Sequence, residues 1–92
     1  MDKQQIIDLM ATRDYVLYAD TGKPMIYFRN LTWTKLSAKV DLNSEEIQFI
    51  FLTSVGALLT VTSQWFNAED GHTFKSNEAT VIRAMISLGV ER

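Results

Sequence analysis

The residues best suited to acid–base or metal chemistry lie together in one short segment. His72 is the only histidine, and Glu69 and Asp70 stand just before it. Imidazole and carboxylate groups are common metal ligands, but hydrolytic metal sites usually draw their ligands from separate elements of a fold. Asp70 and Gly71 also form a dipeptide that is typical of turns. We therefore interpret the segment as a polar turn and predict no metal site.

The rest of the chain lacks the sequence patterns of catalytic machinery. There is no cysteine, which removes thiol nucleophiles, zinc–thiolate sites and disulfides. No glycine-rich phosphate loop, dinucleotide fingerprint or Gly-x-Ser-x-Gly elbow is present. We predict a protein that is not an enzyme, with no catalytic residues and no cofactor.

A basic and aromatic stretch could instead bind a polyanion. The charged residues between positions 21 and 40 are all basic: Lys23, Arg29, Lys35 and Lys39. Tyr27 and Trp33 are interleaved with them, and such side chains on a sheet bind single-stranded nucleic acid by stacking and phosphate contacts. The net charge of −2 opposes attraction to a polyanion. We therefore keep nucleic-acid binding, through Arg29, Lys35, Lys39 and an exposed Trp33, as a second hypothesis. The first hypothesis is that the protein binds another protein.

The acidic residues form a block of their own further along the chain. Between positions 41 and 70 every charged residue is acidic: Asp41, Glu45, Glu46, Glu69 and Asp70. Segregated blocks can give one molecule a basic edge and an acidic edge that steer a partner. The alternative is a set of ordinary solvated side chains that happen to cluster.

The elements that position these residues are organised around the uncharged segment 47–66. Its β-branched and aromatic residues favour strands, and Leu59, Val61 and Trp65 alternate with polar residues as in a half-buried strand. We predict strands at 46–53 and 58–65, joined by a turn that contains Gly56. A membrane span is the rejected alternative, because polar side chains are spread along the segment and no basic residues flank it.

Three further strands and two helices follow from local patterns. The predicted helices cover 4–13 and 76–88, with Asp2 and Ser76 as N-caps and Gly89 just past the second C-terminus. The further predicted strands cover 14–20, 24–28 and 34–42, with a turn at 20–23 between the first two. Two points stay open. Segment 31–33 is either a bend or the start of a strand, and Ser44 either lies in a turn or caps a short helix.

These elements predict one α+β domain over residues 1–92. Strands adjacent in sequence usually pair, so we expect an antiparallel meander of four to five strands, flanked by an N-terminal and a C-terminal helix. The composition is that of an ordinary globular protein. The polar N-terminus has no apolar signal-peptide core, so we expect a cytoplasmic protein without a membrane segment.

The strand predicted at 46–53 points to the function. Ile47, Phe49 and Phe51 face one side, while Ile50 and Leu52 face the other. A strand that is apolar on both sides must be covered on both sides. Either one helix covers each face, or both helices pack on one face and the second face meets another protein or a second copy.

We therefore predict a small non-enzymatic protein-binding module, with a homodimer as one form of it. The composition is also compatible, by analogy alone, with accessory, regulatory or inhibitor proteins of phages and mobile elements, which act by occupying a partner's surface. The predicted interface consists of the following residues: Tyr27, Arg29, Trp33, Lys35, Lys39, Ile50, Leu52, Thr60, Thr62 and Gln64.

Overall fold

The computed structural model describes residues 2–22, 24–63 and 72–92 and confirms the predicted α+β fold. Its elements in chain order are α1 (Lys3–Ala11), β1 (Tyr15–Asp20), β2 (Met25–Asn30), β3 (Leu36–Asp41), β4 (Glu46–Leu52), β5 (Leu58–Ser63) and α2 (His72–Ser87). The five strands form one antiparallel sheet in the order β1-β2-β3-β4-β5. The predicted meander, with a helix at each end of the chain, is therefore confirmed.

Both helices pack on the same face of the sheet. Their apolar residues join alternate residues of the strands in a single buried cluster: Ile6, Met10, Tyr15, Ile26, Phe28, Leu36, Ala38, Val40, Ile47, Phe49, Phe51, Phe74, Val81 and Met85. The ring of Phe74 in α2 is central to it, since its centroid lies 5.9 Å from that of Tyr15 and 6.1 Å from that of Phe49. Of the two arrangements left open by the sequence, the one with a helix on each face is wrong.

The helix ends are fixed by local hydrogen bonds. Asp2 caps α1 as predicted: its side chain accepts a bond from the Gln5 N–H at 2.8 Å, and the Gln5 side chain accepts one from the Asp2 N–H at 3.0 Å. After α2, Gly89 adopts φ 75°, and the Val90 N–H donates to the Met85 carbonyl at 2.9 Å. Val90 and Met85 are both buried, which is the hydrophobic contact that accompanies such a C-terminal cap.

The second helix begins earlier than its sequence pattern predicts. Ser76 lies inside α2 rather than at its N-cap, because the helix already begins at His72. The additional turn places Phe74 in the core, and Phe74, Val81 and Met85 then form one buried stripe. Ile86 and Leu88 are exposed, because the stripe is narrow and Ile86 lies about 100° around the helix from Met85.

The two local alternatives are also resolved. Segment 31–35 is a bend and turn between β2 and β3, so β3 begins only at Leu36. Residues 42–45 form a turn rather than a short helix, and Glu45 within it adopts a left-handed φ of 59°. Neither helix in the described parts of the chain has the length and apolar content needed to cross a bilayer.

Candidate functional site: the open face of the sheet

The face of the sheet opposite the helices is the candidate site, and we call it the open face. Within the described residues no helix packs against it. By strand alternation and register it presents the following residues: Val16, Tyr18, Met25, Tyr27, Arg29, Ser37, Lys39, Asp41, Glu46, Gln48, Ile50, Leu52, Leu58 and Thr60. The predicted interface residues Tyr27, Arg29, Lys39, Ile50, Leu52 and Thr60 are thus brought together.

One end of the open face is apolar. Ile50 and Leu52 of β4 are only partly buried, whereas Ile47 on the other side of the same strand is fully buried. Leu52 pairs with Leu58 of β5 in the register, and Leu58 is 70% exposed. The paired strands β4 and β5 therefore hold neighbouring apolar side chains at the surface, where they can contact another apolar surface.

A tyrosine–arginine cluster occupies the β1–β2 side of the open face. The ring centroids of Tyr18 and Tyr27 are 6.5 Å apart at an interplanar angle of 74°. The guanidinium carbon of Arg29 lies 5.8 Å from the Tyr18 ring centroid, a cation–π distance that restrains the arginine. Tyr18 is 62% exposed, so its ring is available to a partner.

The sequence did not predict Tyr18 as an interface residue, and the reason lies in the local pairing of β1 and β2. The register between β1 and β2 shifts between Leu17 and Ala19, which is the effect of an extra residue in a β-bulge. Simple alternation fails across a bulge, and the run of apolar residues in β1 contains no glycine or proline to indicate one. Only the paired strands show that Tyr18 joins the cluster with Tyr27.

The end of the open face next to the β3–β4 turn carries charges of both signs around a shallow depression of about 220 Å³. It is lined by Met25, Lys39, Asp41, Glu46 and Gln48. Asp41 and Glu46 stand directly opposite each other in the β3–β4 register, an arrangement that is unfavourable for two like charges. One oxygen of Asp41 accepts bonds from the backbone N–H groups of the following turn, at 2.9 and 3.2 Å.

The remaining predicted interface residues do not lie on the open face. Trp33 is only 7% exposed and belongs to the core cluster, so the expectation of an exposed, stacking Trp33 is wrong. The backbone N–H of Trp33 donates to the Asn30 side-chain oxygen at 2.6 Å, and the Arg92 guanidinium lies over the Trp33 ring, 5.0 Å from its centroid. Lys35 is exposed in the turn before β3, off the sheet.

Three other predicted residues are placed only in part or not at all. Thr62 pairs with Gln48 in the β4–β5 register, which puts its position in line with the open face. Gln64, together with Lys23 of the basic block, lies outside the described residues.

A second polar cluster lies on the covered side and has a structural role. Glu78 of α2 is 3% exposed, and one of its oxygens accepts bonds from Arg13 Nε at 2.8 Å and Nη2 at 2.6 Å. Arg13 lies just after α1 and Glu78 lies in α2, so the ion pair links the segment after the first helix to the second helix. A buried carboxylate requires such a partner. Sequence patterns gave no signal for it, because the two residues are 65 positions apart.

Tyr15 lies beside this ion pair, with its hydroxyl near Glu78 and Asn30 but without hydrogen-bond geometry to either. Among the described residues its buried oxygen has no hydrogen-bond partner. Burial, reinforced by the nearby Glu78 carboxylate, raises the pKa of Tyr15 well above its usual range. The Tyr15 hydroxyl is therefore held in its neutral form.

The segment first considered for metal chemistry is described only in part. Glu69 and Asp70 fall outside the described residues, and His72 is the first residue of α2. In the portion of the chain that the structure describes, no three acidic or histidine side chains are grouped so as to hold a metal ion.

Comparison of the chain with protein-family models, with curated proteins and with solved structures gave no match. Function must therefore be argued from the geometry of the open face.

Proposed function

We propose that this chain is a non-enzymatic cytoplasmic protein-binding module that uses the open face to occupy the surface of another protein. The observation that carries the proposal is the contrast within β4. Both sides of this strand are apolar, and the helices cover only the side that bears Ile47 and Phe49. Covering Ile50 and Leu52 with a partner would remove further apolar surface from water, worth roughly 25 cal/mol per Å² before the costs of association.

The composition of the open face supports a protein partner. Tyrosine and arginine are the residue types that most often dominate binding energy at protein interfaces, and Tyr18, Tyr27 and Arg29 lie together here. The same face also carries apolar residues of β4 and β5, and hydroxyl and amide side chains such as Thr60 and Gln48. Aromatic, arginine and apolar side chains beside hydroxyl and amide groups are a composition found at protein interfaces.

Binding of single-stranded nucleic acid is the second candidate, and the tyrosine–arginine cluster is the observation that favours it. Exposed aromatic rings beside cations on a sheet can stack on bases and contact phosphates. Asp41 and Glu46 on the same face oppose a polyanion. Trp33, the aromatic residue on which this hypothesis first depended, is buried. Protein binding is therefore the better-supported proposal.

Affinity capture with matched surface variants tests the proposal. Tagged protein is incubated with extract of its native cells as wild type, as Arg29→Glu/Ile50→Asp, and as Arg83→Glu/Ile86→Asp. Both variants replace one arginine by glutamate and one isoleucine by aspartate. In the control these residues are Arg83 and Ile86, which are exposed on α2, away from the open face. We expect the wild type and the α2 variant to retain the same protein, identified by mass spectrometry, and the open-face variant to lose it.

Two results would contradict the proposal. In the first, the α2 variant fails to capture the protein and the open-face variant still captures it, which would mean that the partner binds the helices. The other is loss of the captured material on nuclease treatment, with a labelled single-stranded oligonucleotide binding the wild type but not Lys39→Glu. That second result would establish the nucleic-acid alternative.

A further inference from the structure

We propose that a second copy of this chain covers the open face, giving a symmetric face-to-face dimer held in register by its charges. This inference rests on the proposed function, because it names the occupant of the same surface. It follows from the way in which cations and anions are distributed over that surface.

The charges of the open face are balanced and separated. The cations Arg29 and Lys39 lie toward one side, and the anions Asp41 and Glu46 lie toward the other. Salt bridges in the described part of the chain involve Lys3 with Asp20 and Arg13 with Glu78, so these four groups have no ion pair there. Asp41 and Glu46 moreover stand directly opposite each other on adjacent strands and share one neighbouring cation, Lys39, which lines the same depression, so a second cation from a partner would relieve their remaining repulsion.

Two-fold symmetry provides that cation from the same surface. In a two-fold interface the same patch occurs on both copies, so every contact is made twice. An axis lying between the two sheets and passing between the cations and the anions puts Arg29 and Lys39 of each copy over Asp41 and Glu46 of the other. A protein of opposite net charge is not required, because the face is complementary to itself.

The size of the face indicates a weak dimer. Strands about 4.8 Å apart with residues about 3.3 Å apart give a five-stranded sheet face of roughly 24 by 20 Å. That footprint of about 500 Å² is below the roughly 800 Å² per partner of standard stable interfaces. We therefore expect dissociation in the micromolar range and a strong dependence on salt, since exposed charges are screened over about 10 Å at 0.1 M.

Sedimentation equilibrium from about 1 to 500 µM, at low salt, tests the dimer through single charge reversals and their mixture. The variants are Lys39→Glu, Glu46→Lys and, as a control for the first, Lys35→Glu in the turn off the sheet. We expect wild type and Lys35→Glu to approach twice the 10.5 kDa chain mass. Lys39→Glu and Glu46→Lys should each weaken self-association roughly tenfold or more, because like charges then meet. An equimolar mixture of those two should dimerise again. Circular dichroism of each variant shows whether its fold is retained.

The inference is overturned if wild type stays monomeric throughout, if Lys39→Glu dimerises as wild type does, or if the mixture of reversed variants remains monomeric. These outcomes are distinct from failure of the proposed function. A monomeric wild type that still captures another protein through the open face refutes only the second copy as occupant. If substitutions on the open face leave capture or dimerisation unchanged, the proposed function itself is refuted.

Discussion

The two faces of the sheet are built from the same strands, and in β4 from nearly the same residue types, yet their environments differ. On the covered face Ile47, Phe49 and Phe51 are fully buried in the core cluster that the helices complete. On the open face Ile50 and Leu52 stay partly exposed among charges and tyrosines. The covered face therefore accounts for stability, and the open face offers surface that the described fold does not use. Substitutions matched across the two faces test this difference.

The largest effect is expected from one substitution made on both sides of β4. Ile47→Ala should lower the free energy of unfolding by about 3 kcal/mol, because it leaves a cavity in a fully buried site. Ile50→Ala should cost less than about 1 kcal/mol, since that side chain is partly exposed already. Urea denaturation at low protein concentration measures both. Equal losses would show that the open face is packed as tightly as the covered one.

The next effect concerns charges on the two faces. Arg13→Ala should destabilise the protein by about 2 kcal/mol, because it leaves the buried Glu78 without its partner. The loss is smaller than for a fully buried pair, since the Arg13 side chain is 41% exposed and water can replace part of the interaction. Lys39→Ala on the open face should change stability by less than about 0.5 kcal/mol. A comparable loss for Lys39 would mean that its charge serves the fold.

A smaller effect distinguishes two tyrosines. Tyr15→Phe removes a buried hydroxyl that has no partner among the described residues, so stability at neutral pH should be unchanged or rise by up to about 1 kcal/mol. Tyr27→Phe on the open face should have no measurable effect. A loss of more than about 1 kcal/mol in Tyr15→Phe would show that its hydroxyl makes a favourable bond.

The same tyrosine predicts a pH dependence. Burial raises the pKa of Tyr15 above the value of about 10 that it has when unfolded. Its neutral form therefore contributes stability that is fully present below pH about 10 and is lost as the pH rises from there toward the folded pKa. Wild type should lose stability relative to Tyr15→Phe in alkaline denaturation series. Parallel curves for the two proteins would contradict this.

The smallest effect is expected at the exposed rim of the covered side. The hydrogen bond from the Lys3 ammonium at 2.6 Å, with help from the Gly22 N–H, lowers the pKa of Asp20 below its usual value. The resulting stability is present above the ordinary carboxyl pKa and is lost as the pH falls through the lowered one. In acid titrations followed by circular dichroism, Asp20→Asn should lack this small component. An identical acid transition in both proteins would show that the contact contributes nothing.

Local patterns in the sequence determined most of the fold. Alternation in β3 and β4 identified which residues share a face, because successive side chains of a strand point to opposite sides. Asp2 and Gly89 marked helix ends, since capping depends on groups within a few residues of each other. The candidate site was predicted in part for the same reason: Tyr27, Lys39 and Ile50 each alternate with core residues of their own strand, so pairing of the strands brings them to one face.

Tertiary structure alone decided which face is covered and which polar groups meet. Both helices lie on one side because Phe74 of α2 packs against Tyr15 and Phe49, and Ile6 and Met10 of α1 join the same buried cluster. Long-range packing likewise buries Trp33 and joins Arg13 to Glu78. The alternation of side chains along a strand defines two faces of the sheet but does not say which one is buried. Only the packing of the helices distinguishes the core from the surface left for a partner.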